Sequence, residues 1–150
     1  MQVREIIRIK GNALFTATPS QSLAAAIETM ADGDVGSLVV MENGRMVGML
    51  TFREVLRAVR EHSGKTEGVT VADVMISDPV TVAPETDINE LRRIMIDTRS
   101  RYLPAMDGTM LLGVVSFLDV AKAVVEEQGF ENRMLKSYIK HWPEETSAPG

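Results

Sequence analysis

Cysteine is absent from the 150-residue chain. That removes disulfides, thiolate metal ligands and a cysteine nucleophile together, and it suits a reducing compartment. Histidine is scarce: His62 and His141 are the only two. They show no metal-ligand spacing, and neither stands beside a nucleophile elbow, so neither a metal site nor a hydrolase triad is expected. Basic residues are outnumbered, 16 against 21 acidic, giving a formal charge of −5. The one basic cluster, Arg92, Arg93, Arg99 and Arg101, lacks interleaved aromatics, so no nucleic-acid partner is expected. No apolar run approaches the roughly 18 residues needed to cross a bilayer. The opening MQVREIIRIKG is broken by charge too early for a signal peptide. A soluble, cytoplasmic protein without a catalytic constellation is the expectation. What is present is ordinary globular composition, 45% hydrophobic and 25% charged. A chain of this size folds without staples.

The chain repeats itself. Pro19 and Pro84 stand 65 residues apart, and the same offset links Met30 with Met95, Leu38 with Leu103, Met41 with Met106, Gly48 with Gly113 and Phe52 with Phe117. It also links Val55 with Val120 and Ala58 with Ala123. A gapless register over about 50 residues marks a duplicated supersecondary unit. Each copy reads as a short extended segment, a one-sided helix, two apolar strands joined by a turn, and a second helix. The first helix carries Leu23, Ile27 and Met30 in one copy and Ile88, Leu91 and Met95 in the other. ENGR supplies an Asn-Gly hairpin signal in the first copy, and DGTM the corresponding turn in the second. The methionines at equivalent positions read as core filler.

The expected fold is therefore α/β (α+β): two pseudo-symmetric β-α-β-β-α units packed about a two-fold axis, plus a C-terminal helix. The expected divisions are 1–62 (first copy with a lead-in helix), 63–70 (linker), 71–127 (second copy), 128–142 (separate helix) and 143–150 (disordered tail). Met134, Leu135, Tyr138 and Ile139 form the apolar side of that last helix. Trp142 is expected to pack against a partner subunit or the module surface.

The chemistry concentrates in two stretches, Gly48-Met-Leu-Thr51-Phe-Arg-Glu54 and Gly113-Val-Val-Ser116-Phe-Leu-Asp119. Each sets a hydroxyl at a strand-to-helix junction and a carboxylate three residues on. One reading is a capping box that needs no ligand. The other uses the same geometry. A helix start and a hydroxyl suit a phosphate, a carboxylate suits a ribose diol, and the glycine lets a ligand approach the strand. Lys10, Arg53 and Arg101 are cations that either meet a phosphate or are solvated surface charges.

With its β-α-β-β-α repeat, its V-x-P entry, its apolar strand pair and stretches that look like G-h-h-[ST]-x-x-[DN], the chain resembles the cystathionine-β-synthase (CBS) domain family. That family occurs as tandem pairs called Bateman modules, including small stand-alone bacterial CBS-pair proteins. The resemblance implies a non-catalytic sensor that binds an adenine nucleotide or relative (AMP first, or ADP, ATP, NAD(H) or S-adenosylmethionine) between the copies. It also implies a homodimer built on helices REVLRAVREH and LDVAKAVVEE, read by an unidentified protein partner. Carried over residue by residue, the better site uses Ser116 and Asp119 for phosphate and ribose. Leu14, Phe15 and Thr16 line the adenine, and Gly36 and Ser37 complete the wall. A weaker or empty site uses Thr51 and Glu54, with Val80 and Thr81 at its base and Arg101 near the phosphates. Glu54 departs from the usual Asp, and Tyr102 from a basic residue. The alternative is a ligand-free interaction scaffold whose hydroxyl–acid pairs only cap helices.

Overall fold

The repeat of the sequence returns as paired local geometry in the computed structural model, which describes residues 1–11 and 13–140, with side chains through residue 137. The elements run α1 (Val3–Lys10), β1 (Thr16–Ala17), α2 (Leu23–Gly33), β2 (Ser37–Glu42), β3 (Arg45–Thr51), α3 (Phe52–Glu61), α4 (Val71–Val74), α5 (Ile88–Thr98), β4 (Tyr102–Asp107), β5 (Met110–Ser116) and α6 (Phe117–Lys140). Ser22 Oγ accepts from the Ala25 N–H at 3.1 Å to open α2, and Asp87 Oδ2 accepts from the Asn89 N–H at 2.9 Å to open α5. Both helices end on a left-handed residue, Asp34 (φ 51°) and Arg99 (φ 55°). The expected Asn-Gly hairpin forms, with Asn43 at φ 53° and Gly44 at φ 77°. A bulge between Val40 and Met41 is matched by one between Ala105 and Met106.

Three strands pair in the order β1-β2-β3, and β4 pairs with β5. The extended PVTVAP segment adds only one parallel bridge, Val82 to Ala105. Pro79 and Pro84 bracket it, and neither can donate to a ladder.

Spatial grouping departs from the sequence divisions. Helix α1 repeats apolar residues at Val3, Ile6 and Ile7, one face of a helix. That face is not spent on the first copy. Val3 and Ile6 join Val82, Ile88, Leu91, Leu103 and Val115 in the core of the second. Reciprocally, Val69 and Val71 complete the first copy's core with Leu23, Ala26, Leu38, Val40 and Leu50. Residues 69–70 are therefore structural rather than linker. Met49 and Ile76 exchange backbone hydrogen bonds of 2.9 and 2.8 Å across the same junction. A third cluster, Val39, Met49 and Val114, joins the two sheets.

Two expectations need correction. Residues 128–140 are not a separate helix: α6 runs unbroken from Phe117 to Lys140. Gly129 weakens it by about 1 kcal/mol, but no proline stands within residues 117–140 to end it. The side chains of Tyr138 and Ile139, and His141, Trp142 and the tail at 143–150, lie outside the described residues. The second correction concerns the motif glycines. A Cβ on Gly48 would lie 2.7 Å from the Ile76 carbonyl oxygen and 2.8 Å from Met75 Sδ, and one on Gly113 would lie 3.0 Å from Ile7 Cδ1. These glycines make room for the other copy's lead-in segment.

Gly48→Ala is accordingly expected to cost about 1–3 kcal/mol, as overpacking against a fixed carbonyl does. Gly113→Ala should cost less, because the end of the Ile7 side chain can move. Urea denaturation of both variants checks the order.

Candidate functional site

Strand β5 ends where α6 begins, and this junction opens on a cleft of about 520 Å³ between the copies. Leu14, Phe15, Gly36 and Ser37 of the first copy face Ser116, Leu118 and Asp119 of the second, with Lys10, Arg101 and Tyr102 in the wall. Small-ligand sites span about 300–1,000 Å³, so this cleft is of the right size. Six of the seven residues expected at the better site line it. Thr16 does not: strand alternation turns Ala17 into the core and Thr16 to solvent. Gly36 holds its place for a different reason from a ligand wall. A Cβ there would collide with the Tyr102 hydroxyl, so the phenol of the second copy lies against it.

Ser116 and Asp119 close as a capping box. The Ser116 N–H donates to Asp119 Oδ2 at 2.8 Å, and the Asp119 N–H donates to Ser116 Oγ at 3.1 Å. The Ser116 hydroxyl proton has no acceptor among the described residues. A third partner was not foreseen. Lys10 Nζ donates to Asp119 Oδ2 at 2.8 Å and to the Val114 carbonyl at 2.8 Å. The pair is only partly wet, with Lys10 34% and Asp119 16% exposed. Its signal was present in the sequence: Lys10 lies at i+7 from Val3, on the apolar stripe of α1, where a charge needs a partner. Burial pushes the Asp119 carboxyl up, but the Lys10 hydrogen bond, the Ser116 N–H and the Lys10 charge outweigh it, leaving it below the ordinary 3.8.

The second hydroxyl–acid pair borders a smaller cleft of about 200 Å³, below the usual range for a ligand. Val80 lines it with Thr51, Glu54, Arg101 and Tyr102; Thr81 does not. Thr81 is exposed beside buried Val82 in the extended segment. Glu54 Oε1 accepts from the Thr51 N–H at 2.8 Å and from Thr51 Oγ1 at 2.6 Å, and the side chain is buried at 7% exposure. Thr51 has thus spent its hydroxyl proton on its own acid. Arg101 lies over the Phe52 ring at 5.2 Å and lines both clefts, as does Tyr102, whose ring meets Phe52 edge-on at 6.3 Å. Arg53 Nη2 donates to the Arg99 carbonyl at 2.9 Å, tying α3 to the end of α5. His62 Nδ1 lies 2.8 Å from the Ala58 carbonyl, a helix-end contact.

The CBS domain profile matches residues 3–61 and 71–126. The chain belongs to the CBS domain family. It is 29% identical over 147 residues to the CBS domain-containing protein CBSX3, mitochondrial, of Arabidopsis thaliana, covering 92% of this chain and 71% of that protein. Its fold matches the CBS-domain containing protein ATU1752 from Agrobacterium tumefaciens with a TM-score of 0.78 and 27% identity, over 82% of this chain and 98% of that one. It matches CBSX2 of Arabidopsis thaliana in complex with AMP with a TM-score of 0.71 and 25% identity, over 85% and 98%. The chain is a CBS-pair regulatory module. Among the described residues no helix is long and apolar enough to cross a membrane.

Because the folded carboxyl is depressed, its contribution to stability is whole above the unfolded value and is lost as pH falls through the folded one. Titration of Asp119 by NMR should give a midpoint below 3.8. Denaturation scans should show this contribution disappearing only at more acid pH than that. A midpoint at or above the ordinary value contradicts the ion pair.

Proposed function

We propose that the chain reversibly binds an adenine nucleotide or derivative in the larger cleft and reports its presence without turning it over. The observation that supports this reading is convergence. A helix start, a hydroxyl whose proton has no acceptor among the described residues and a carboxylate from one copy face an apolar strap from the other, across a cleft of about 520 Å³. In this reading Leu14 and Phe15 cover the adenine, Ser116 and the α6 start take a phosphate, and Asp119 accepts from the ribose hydroxyls. AMP is the first candidate, because a similar chain has been solved with it. ATP, NAD(H) and S-adenosylmethionine share the adenine and ribose. A ligand touching both copies biases their relative orientation. A homodimer on α3 and α6 would carry that change outward; Leu56, Leu118 and Val125 are exposed on these helices. A cytoplasmic location and a partner protein belong to the same proposal.

A scaffold without ligand is the competing reading, and one observation favours it: both hydroxyl–acid pairs close as capping boxes within the chain. A thermal scan with AMP, ATP, NADH and S-adenosylmethionine separates the two. A ligand at 100 times its Kd should stabilise by about 2.7 kcal/mol, a shift of several degrees. No shift at millimolar concentration for any of the four supports the scaffold.

Asp119→Ala should weaken nucleotide binding about tenfold to a hundredfold, the loss of a charged hydrogen bond. Glu54→Ala should leave affinity nearly intact and cost about 1–2 kcal/mol of stability, as a lost cap does. Calorimetric titration of both variants checks the ranking. Equal affinity losses would place the ligand in the smaller cleft as well.

A further inference from the structure

The acid of the larger cleft is engaged by the chain itself. Lys10 crosses to it from the last turn of α1 and spends two of its three N–H donors, one on Asp119 and one on the Val114 carbonyl, both at 2.8 Å. The third is not used among the described residues. Helix α1 is anchored at its start. Its start is fastened to the second copy by the Val3 N–H to the Thr86 carbonyl at 2.9 Å and the Arg4 N–H to the Pro84 carbonyl at 3.0 Å. The Lys10 stem is therefore rooted at a set place beside the wall.

Charge bookkeeping in the cleft turns on this one side chain. The wall holds two acids, Asp34 and Asp119, and two cations, Lys10 and Arg101. Arg101 is held over the Phe52 ring. Lys10 is the cation that touches the acid. Without it, the wall presents two carboxylates against a single guanidinium, and a phosphate entering the cleft meets net repulsion. With it, a phosphate finds an ammonium that has a free donor and a flexible stem. A neutral nucleoside offers Lys10 nothing in return for sharing Asp119, and a half-buried ammonium losing its partner is costly.

We propose that Lys10 is an exchangeable internal counter-ion: it holds Asp119 when the cleft is empty and turns to the ligand's phosphate when the ribose takes the acid. The cleft thereby selects phosphorylated over unphosphorylated nucleosides. This rests on the nucleotide-binding reading above and names the residue that sets its charge preference.

The test compares AMP with adenosine by isothermal titration, using the full chain and its Lys10→Met and Lys10→Arg variants. The native chain should prefer AMP by at least tenfold. Lys10→Met should lose most of that preference, with AMP weakened tenfold or more and adenosine unchanged or tighter. Lys10→Arg should keep it. A preference within twofold of the native value in Lys10→Met overturns the proposal while leaving nucleotide binding intact. Binding of neither ligand to the native chain removes the underlying reading instead, and the proposal with it. NMR titration of Asp119 in the ligand-free variants supplies a readout independent of binding. Lys10→Met should raise the midpoint and Lys10→Arg should not; an unmoved midpoint in Lys10→Met also overturns the proposal. Lys10→Gln is the substitute should Lys10→Met fail to fold.

Discussion

The exchange of lead-in segments is the constraint on which the cleft depends. Val3 and Ile6 finish the core of the second copy, and Val69 and Val71 finish that of the first. A single unit with two or three strands and two helices has too little apolar cover to stand alone. Each buried aliphatic side chain is worth about 1.5–3 kcal/mol, so withdrawing one lead-in removes enough to unmake a core. The exchange also fixes where the chain must pass. Leaving α1 on the second copy, it has to cross to β1 on the first, and residues 13–15 are the crossing. That is why Leu14 and Phe15 stand opposite Ser116 and Asp119.

The two clefts begin from one pattern and diverge through one methylene. Glu54 is long enough for a single oxygen to take both the N–H and the hydroxyl of Thr51. The site closes on itself and buries its acid. Asp119 is shorter and takes only the N–H of Ser116; the Ser116 oxygen accepts instead of donating. The larger cleft is thus left with a hydroxyl proton that has no acceptor among the described residues and an acid that still needs a cation. Lys10 meets that need.

Much of this was legible from residue order. A constant offset announced the duplication, and the hydroxyl–acid spacing announced the caps. The convergence of Leu14 and Phe15 with Ser116 and Asp119 came through the family resemblance. What escaped were facts of tertiary register. The motif glycines answer to Ile76, Met75 and Ile7, residues far away in sequence. The meeting of Lys10 with Asp119 spans 109 positions and follows from how α1 lies on β5. The division at 127/128 followed the end of the repeated unit, but no proline stands between 117 and 140, so α6 runs on past it. The outward turn of Thr16 followed from strand alternation and needed only the position of the first core residue.

The unbroken run of α6 makes it a lever as well as a cover. Asp119 sits in its first turn, and Phe130, Met134 and Leu135 stand exposed far along it. At 1.5 Å per residue, its 24 residues make a rod about 36 Å long. A tilt of about 5° at the pivot swings the far tip by about 3 Å over that length. Movement too slight to disturb the packing beside the acid is thereby magnified at a place a neighbouring molecule can feel.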